Sequence, residues 1–202
     1  MKILAFTDVH ADKKAMHSIA QLTARESPDI LIDCGDISIF ENQLDSLVAK
    51  IAGLGKMVLI LHGNHESEEA MMDACRPYEN VIFMHNRILE IEDTIIFGWG
   101  GDGFSRRDGE FTKAAEQAAM IFRNNTSKNK KFILLTHGPP ADTALDHIMD
   151  SHVGNRSFKE FIIKQQPDYA FCGHLHECNG IEDRVEKTII INPGPKGKIV
   201  RL

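Results

Sequence analysis

The sequence predicts an α/β fold built on mixed rather than purely parallel β-sheets. Five short apolar runs have the length and composition of buried strands, at residues 3–7, 30–34, 57–61, 132–136 and 169–172. Helical patterns lie between several of them. Residues 81–99 and 180–202 instead contain short β-type runs joined by tight polar turns. Strand–helix–strand units followed by hairpins are typical of mixed sheets.

The predicted helices follow from apolar spacing and from capping residues. Apolar side chains recur at helical spacing in residues 13–25, 43–51 and 111–123. Serine is a favoured N-cap residue, and Ser67 and Ser157 each precede a further helical pattern. We expect the last of these helices to run to about residue 164 and to end before Pro167.

Length and charge limit the classes of protein that the sequence can encode. The chain has 202 residues with 23 basic and 29 acidic side chains, which gives a net charge of −6. This length predicts one domain over residues 1–202. Proteins that bind duplex nucleic acid usually carry a basic surface, so we expect no duplex nucleic acid partner, although a small nucleotide remains compatible.

The sequence also predicts a cytoplasmic protein without a membrane partner. It contains no apolar run of 18 residues and no signal peptide at the start. The four cysteines, at positions 34, 75, 172 and 178, form no Cys-x-x-Cys pair. Cys34 and Cys172 lie in apolar strand-like runs, where a buried reduced thiol is the expected state.

Each of the five strand-like runs is followed at once by residues that bind metals. In chain order these segments are Asp8-Val9-His10, Gly35-Asp36, His62-Gly63-Asn64-His65-Glu66, His137-Gly138-Pro139-Pro140 and Gly173-His174-Leu175-His176. Ligands bind outside the carboxyl ends of strands in open α/β sheets, and neighbouring strands lie about 4.8 Å apart. The five strand ends therefore predict one polar site, whose oxygen and imidazole ligands suit Mn, Fe, Zn, Co or Ni.

Each motif taken singly has an ordinary explanation. Asp-x-His pairs occur often by chance, Gly-Asp is usually a turn, and one histidine after a strand is more often a loop residue than a ligand. Gly-Asn-His-Glu is more specific, and so is Gly-His-x-His, because alternate residues of an extended chain face the same side. The whole set in chain order, each member at a strand end, predicts a metal site.

In this order the motifs resemble those of the calcineurin-like metallophosphoesterase superfamily, and they span Asp8 to His176. The resemblance implies an α/β/β/α sandwich of four layers, in which two mixed β-sheets face each other and helices flank them. It implies two divalent metal ions, for which we expect manganese, with iron, zinc, cobalt and nickel as alternatives. Residue by residue, it implies that Asp8, His10 and His176 bind one metal, that Asn64, His137 and His174 bind the other, and that Asp36 bridges both.

The resemblance further implies phosphoester hydrolysis by a hydroxide held between the two metals, with His65 as the catalytic histidine near the leaving group. Two metals can lower the pKa of a shared water and stabilise charge on phosphoryl oxygens. His65 directly follows a predicted ligand, so it can lie just beside the metals and protonate the departing oxygen.

The sequence departs from some relatives in ways that bear on the substrate. Phosphoprotein phosphatases carry acidic residues and arginine soon after Gly-Asp, whereas this chain continues with Ile37-Ser38-Ile39-Phe40. Many relatives have a carboxylate there that pairs with the catalytic histidine, and here Ile39 takes that place. The short chain resembles small prokaryotic-type members, many of which act on phosphodiesters.

Two loops are candidates for substrate contact. Residues 141–156 follow one predicted ligand and form either a polar surface loop or a lid, from which His152 or Arg156 would bind the substrate phosphate. Residues 99–104 are rich in glycine, and Trp99 or Phe104 could stack on a base, although a single tryptophan is more often part of the core.

Three hypotheses for function follow. The first is a phosphodiesterase for a small substrate such as a nucleotide. The second is a phosphomonoesterase, including a protein phosphatase, with the same site. The third is a binding scaffold that has lost catalysis, which ranks last because all eight candidate positions hold suitable residues. The terminal β-segments leave self-association into a homo-oligomer open.

Overall fold

Two β-sheets lie face to face and carry helices on their outer faces. The computed structural model describes residues 1–101, 103–125 and 130–202. A buried apolar cluster fills the space between the sheets, and one further cluster lies between each sheet and its helices. The predicted α/β/β/α sandwich of two mixed sheets is therefore confirmed.

The first sheet has five strands. Its four parallel strands lie side by side in chain order, and the C-terminal strand of the protein pairs antiparallel with the first of them. The strands are β1 (Lys2–Phe6), β2 (Ile30–Asp33), β3 (Met57–Ile60), β4 (Val81–Phe83) and β13 (Lys198–Arg201).

The second sheet has six strands. They are β5 (Arg87–Ile91), β6 (Thr94–Trp99), β7 (Lys131–Thr136), β10 (Tyr169–Phe171), β11 (Glu182–Val185) and β12 (Thr188–Ile191). Their spatial order is β11-β12-β10-β7-β6-β5, with antiparallel pairs at both edges and parallel pairs between them. A separate small hairpin consists of β8 (His147–Ile148) and β9 (Ser151–His152).

In the described ranges, five α-helices complete the layers. The helices α1 (Lys13–Glu26), α2 (Leu44–Ala52) and α3 (Glu68–Cys75) cover the first sheet, and α4 (Gly109–Asn125) and α5 (Arg156–Gln165) cover the second. Alternation along β1 explains the layering, because Leu4 and Phe6 face the helices while Ile3 and Ala5 face the other sheet. Full burial of each such large apolar side chain contributes roughly 1.5–3 kcal/mol.

The helix starts test the two predicted serine caps. Ser67 is the N-cap of α3, since its hydroxyl accepts the backbone N–H of Ala70. The prediction for Ser157 is wrong. The side chain of Asn155 accepts the N–H groups of Ser157 and Phe158. Asn155 is therefore the N-cap of α5, two positions before the predicted cap residue. The Ser157 hydroxyl instead accepts the backbone N–H of Asp108.

The carboxyl ends of strands from both sheets meet at one end of the sandwich. The backbone N–H of His174, after β10, donates to the Asp8 carboxylate, after β1. The Nδ1 of His137, after β7, donates to the carbonyl oxygen of Cys34, after β2. The sheets thus position the motif residues against each other.

Candidate metal centre

The structure brings the seven predicted ligand residues together at this end of the sandwich. Three strands of the first sheet and two of the second contribute them. They are Asp8 and His10 after β1, Asp36 after β2, Asn64 after β3, His137 after β7, and His174 and His176 after β10.

Asp8, His10 and His176 form the first group of possible ligands, with one donor atom of each within 4.8 Å of the others. The Nε2 atoms of the two histidines face each other at 3.0 Å, and the Nε2 of His176 lies 3.6 Å from Asp8 Oδ1. Two imidazole nitrogens and a carboxylate oxygen that converge in this way are a suitable donor set for one divalent ion.

Asn64, His137 and His174 form the second group. Asn64 Oδ1 lies 3.2 Å from His137 Nε2 and 2.9 Å from His174 Nδ1. The donor atoms of His137, His174 and Asp36 also lie within 4.8 Å of one another. An amide oxygen, two imidazoles and a carboxylate again suit a divalent ion of borderline softness.

Asp36 lies between the two groups. Its Oδ2 atom is 3.5 Å from His137 Nε2 and 3.8 Å from His10 Nε2. Burial by itself would raise the pKa of Asp36, but the hydrogen bond and charge of His137 and the N–H of His65 lower it to about 2. For His137, burial opposes the charged form, yet contact with Asp36 raises its pKa to about 9. Asp36 is thus ionised near neutral pH and offers one oxygen to both groups.

Hydrogen bonds from the supporting backbone orient two of the histidines. The carbonyl oxygen of Ser38 accepts the Nδ1–H of His10 at 3.1 Å, and that of Cys34 accepts the Nδ1–H of His137 at 2.9 Å. Since a carbonyl can only accept, Nδ1 carries a proton in each ring, and in the neutral imidazole Nε2 is the nitrogen that can bind a metal. Metal-binding histidines are commonly held in this way.

Close backbone approach explains two of the motif glycines. A Cβ atom on Gly63 would lie 2.1 Å from Asp36 Oδ1. A Cβ atom on Gly173 would lie 1.8 Å from Thr7 Oγ1 and 2.7 Å from Asp8 Oδ2. Neither turn can carry a side chain while the carboxylates stay in place.

The ligand residues also adopt unusual backbone conformations. The φ angles are 53° for Asp8, 45° for His10, 57° for Asp36 and 72° for His174. Positive φ is uncommon for residues other than glycine. Such strain is typical of functional sites, where the surrounding structure holds residues in place for a purpose other than stability.

His65 lies beside both groups. Its Nε2 atom is 4.0 Å from Asp36 Oδ2, and its ring contacts His10 and Phe40 at centroid distances of 4.7 and 4.4 Å. Its buried Nδ1 atom has no hydrogen-bond partner among the described residues. The missing carboxylate at Ile39 therefore leaves the ring of His65 in contact with an aromatic side chain instead.

Glu66 has a part in the site that the sequence motif alone did not define. Its buried carboxylate accepts the backbone N–H groups of Asp36 at 3.1 Å, Ser38 at 2.8 Å and Gly63 at 3.1 Å, and the Ser38 hydroxyl at 2.7 Å. Burial raises the pKa of Glu66, although these hydrogen bonds oppose the shift. Glu66 thus connects the loops that follow β2 and β3. In the sequence, only its place in the Gly-Asn-His-Glu motif indicates this role.

The segment 141–156 folds around a buried carboxylate. Asp146 accepts the backbone N–H groups of Asp142, Thr143 and Gly154, and it lies 2.5 Å from His152 Nδ1. This fixes the β8–β9 hairpin, which contacts the short 3₁₀ turn His176–Cys178.

The structure does not bring the two predicted substrate-binding residues into contact with the ligands. Both side chains are exposed. In the described part of the chain, no hydrogen bond, ion pair or ring contact joins His152 or Arg156 to a ligand residue. The backbone oxygen of His152 accepts from Arg106, and the backbone N–H of Arg156 donates to the carbonyl of the same arginine. The hairpin is therefore tied to the loop before α4.

In the loop 99–104, the two aromatic residues that could stack on a base differ in exposure. Asp102 of this loop lies outside the described residues. Trp99 is only 6% exposed, and its indole N–H donates to Asp108. Trp99 therefore belongs to the core and cannot stack on a base. Phe104 is 59% exposed and contacts the ring of His174 at 4.1 Å.

Comparison with known proteins agrees with this geometry. The family model described as calcineurin-like phosphoesterase matches residues 1–178, and the chain belongs to this family. Its members are metal-dependent phosphoester hydrolases with a dinuclear centre, and the described residues contain matching groups of candidate ligands.

Individual relatives extend over most of the chain. The uncharacterized protein MJ1162 of Methanocaldococcus jannaschii is 29% identical over 99% of this chain and 91% of its own length. The probable cyclic nucleotide phosphodiesterase RPA0124 of Rhodopseudomonas palustris is 24% identical over 87% of this chain and 72% of its own. A dimetal phosphatase from Danio rerio shares the fold, with a TM-score of 0.65, 12% identity and coverage of 95% and 86% of the two chains.

Among the described residues, no helix combines the length and the apolar character that a membrane crossing requires.

Proposed function

We propose that residues 1–202 form one domain that hydrolyses a small phosphodiester, such as a nucleotide. The observation that carries this proposal is the position of Asp36, whose Oδ2 atom faces both groups of ligands. Two cations held close together repel each other, and a shared carboxylate offsets that repulsion. The donor sets fit two divalent ions, and we propose manganese.

In this proposal Asp8, His10 and His176 bind one ion, Asn64, His137 and His174 bind the other, and Asp36 binds both. Bound ions would supply a nucleophile by lowering the pKa of water and would offset charge on the phosphoryl oxygens. The support for this assignment is the convergence of imidazole Nε2 or Nδ1 atoms with carboxylate and amide oxygens.

His65 is the proposed proton donor to the departing oxygen. It lies within 4.0 Å of Asp36 Oδ2 and holds its ring against His10. Its exposed fraction of 20% leaves the ring accessible from the site. A histidine whose Nε2 faces the reacting group can protonate the alcohol that leaves phosphorus.

A diester is preferred over a monoester on grounds of charge. In the described ranges, no hydrogen bond or ion pair links a lysine or arginine to His65 or to the seven ligand residues. A diester bears one negative charge where a monoester bears up to two, so it needs less positive charge from side chains. The relative from R. palustris that is named as a probable cyclic nucleotide phosphodiesterase supports the same choice.

His152 and Arg156 are the proposed contacts to the substrate phosphate. Asp146 holds the Nδ1 of His152, so its Nε2 remains available. The four cysteines are free thiols, which supports a reducing location such as the cytoplasm.

The test is hydrolysis of bis(p-nitrophenyl) phosphate by chelator-stripped protein reloaded with Mn²⁺, with p-nitrophenyl phosphate assayed in parallel. We expect diester cleavage that appears only after reloading. Cleavage of the monoester alone would replace the proposal by a phosphomonoesterase. Inactivity on both substrates with two ions bound per chain would favour a binding scaffold.

A further inference from the structure

Phe40 is an exposed aromatic residue at the edge of the centre. Its relative exposure is 76%, among the highest of the large apolar residues in the described part of the chain. Its ring lies 4.4 Å from the ring of His65, with an angle of 34° between the planes. One part of Phe40 thus contacts the proposed proton donor, and the rest faces solvent.

The backbone holds Phe40 in this position at a cost. The φ angles of Phe40 and Glu41 are 49° and 63°, and positive φ is a true outlier for a bulky residue. The structure around the loop keeps it there. Glu41 accepts both the N–H and the hydroxyl of Ser67 at 2.9 and 2.7 Å, and its own N–H donates to the carbonyl of His65 at 3.0 Å.

These contacts tie the loop of Phe40 to the loop of His65 from both sides. The two loops therefore keep a fixed relation, and the ring of Phe40 stays beside His65 rather than folding into the core. Backbone strain that several hydrogen bonds maintain is often found at active sites and ligand clamps, and here it exposes a large apolar ring next to the proposed proton donor.

The location defines which part of a substrate Phe40 can meet. His65 is the proposed donor to the departing oxygen, so the substituent on that oxygen must pass next to His65 and hence next to Phe40. Aromatic rings pack favourably against other planar rings in offset or edge-on arrangements. An exposed aromatic ring can stack on any nucleobase, because every base has a planar face.

We propose that Phe40 is a specificity-determining residue that packs against a planar group, an aryl ring or a nucleobase, on the leaving-group side of the phosphodiester. This inference rests on the proposed function, since it uses His65 to define the leaving-group side. It adds the class of leaving group that the site accepts.

The test compares two leaving groups of similar acidity, one planar and one not. Methyl phenyl phosphate and methyl hexafluoroisopropyl phosphate serve, with Mn²⁺-loaded wild type, Phe40→Leu and Met120→Leu. Met120 is an exposed apolar residue on α4, with a relative exposure of 59%, and so is the matched control. We expect Phe40→Leu to lower kcat/KM for the phenyl ester about 3- to 10-fold and to change kcat/KM for the alkyl ester less than about twofold. We expect Met120→Leu to behave like the wild type with both esters.

An equal loss for both esters in Phe40→Leu would overturn the proposal, because it would mean that Phe40 only holds His65 in place. Unchanged kinetics for both esters would overturn it as well.

A binding experiment separates this inference from the proposed function. Calorimetry measures the affinity of the Mn²⁺-loaded proteins for phenylphosphonate and methylphosphonate. A preference for the phenyl ligand that is lost in Phe40→Leu supports the contact even if no ester is cleaved, in which case only the hydrolase proposal fails. Equal preference in wild type and variant overturns the contact.

Discussion

The Oδ1 atom of Asp36 accepts the backbone N–H of His65 at 2.9 Å. The other oxygen of the same carboxylate faces His137 and His10. One side chain therefore joins the two proposed metal positions and also fixes the start of the segment that carries the proposed proton donor. A change at Asp36 should affect metal binding and catalysis together.

Asp36→Asn is expected to lower the metal content and abolish hydrolysis. The amide keeps the size of the carboxylate but removes the negative charge that offsets the repulsion between two cations. Metal analysis after dialysis against Mn²⁺ measures the first effect and diester turnover the second. Full metal content with normal turnover would remove Asp36 from the bridging role.

His65→Ala is expected to retain both ions and lose turnover by about 10²- to 10⁴-fold, the usual contribution of a general acid. The loss should be smaller for substrates with acidic leaving groups, which need less help from a proton donor. His17→Ala, on the exposed face of α1, is the matched control. Equal rates for wild type and His65→Ala would exclude His65 from the mechanism.

Glu66→Gln is expected to lower the free energy of unfolding by about 1–3 kcal/mol, because an NH₂ group would face backbone donors in a buried place. It should also weaken metal binding, since the loops after β2 and β3 lose their common partner. Urea denaturation with and without Mn²⁺ measures both effects. Glu69→Gln, exposed on α3, should change neither.

The stability of the chelated protein is expected to fall between pH 6.5 and about 4 because of His62. This residue is only 8% exposed, and burial, followed by repulsion from His85 and His137, lowers its pKa to about 4. Between these values the unfolded chain binds a proton that the folded chain does not, so stability is present above pH 6.5 and is lost as the pH falls. The full contribution is about 3 kcal/mol.

Denaturation at several pH values in chelator tests this. His62→Gln should show a shallower loss of stability with falling pH, whereas His17→Gln should follow wild type. Parallel curves for wild type and His62→Gln would assign the acid sensitivity to other buried groups.

His152→Ala and Arg156→Ala are expected to raise KM for the diester about 3- to 10-fold, as for the loss of one charge-assisted hydrogen bond at an exposed position, with little change in kcat. Arg107→Ala is a suitable control because its guanidinium pairs with Glu160 on the surface. Steady-state kinetics with the diester measure KM and kcat for each variant. An unchanged KM in both His152→Ala and Arg156→Ala would mean that the hairpin has only a structural role.

Much of the fold could be predicted from local sequence signals. The strand-like runs at residues 3–7 and 30–34 became β1 and β2 to within one residue, because buried strands of parallel sheets read as continuous apolar runs. The order of the strands along the chain does not show which strands share a sheet. The five strand ends were expected to crowd together as neighbours, whereas three belong to one sheet and two to the other.

The parts that could not be predicted depend on tertiary contacts. The N-cap Asn155 competes with Ser157 two positions further along the chain, and only the path of the chain decides between them. The exposure of Phe40 depends on a left-handed backbone at a residue that rarely adopts it, so propensity argues against it. The role of Glu66 depends on donors that are distant in sequence.

The division of the ligands between the two sheets has a consequence for folding. Asp8 and His174 are 166 positions apart and are joined by direct hydrogen bonds, so neither sheet alone holds a complete ligand set. An ion bound there would act as a cross-link that closes a very long chain loop, and its binding energy would be available only to the assembled sandwich. Bound metals would thus stabilise the packing of one sheet against the other.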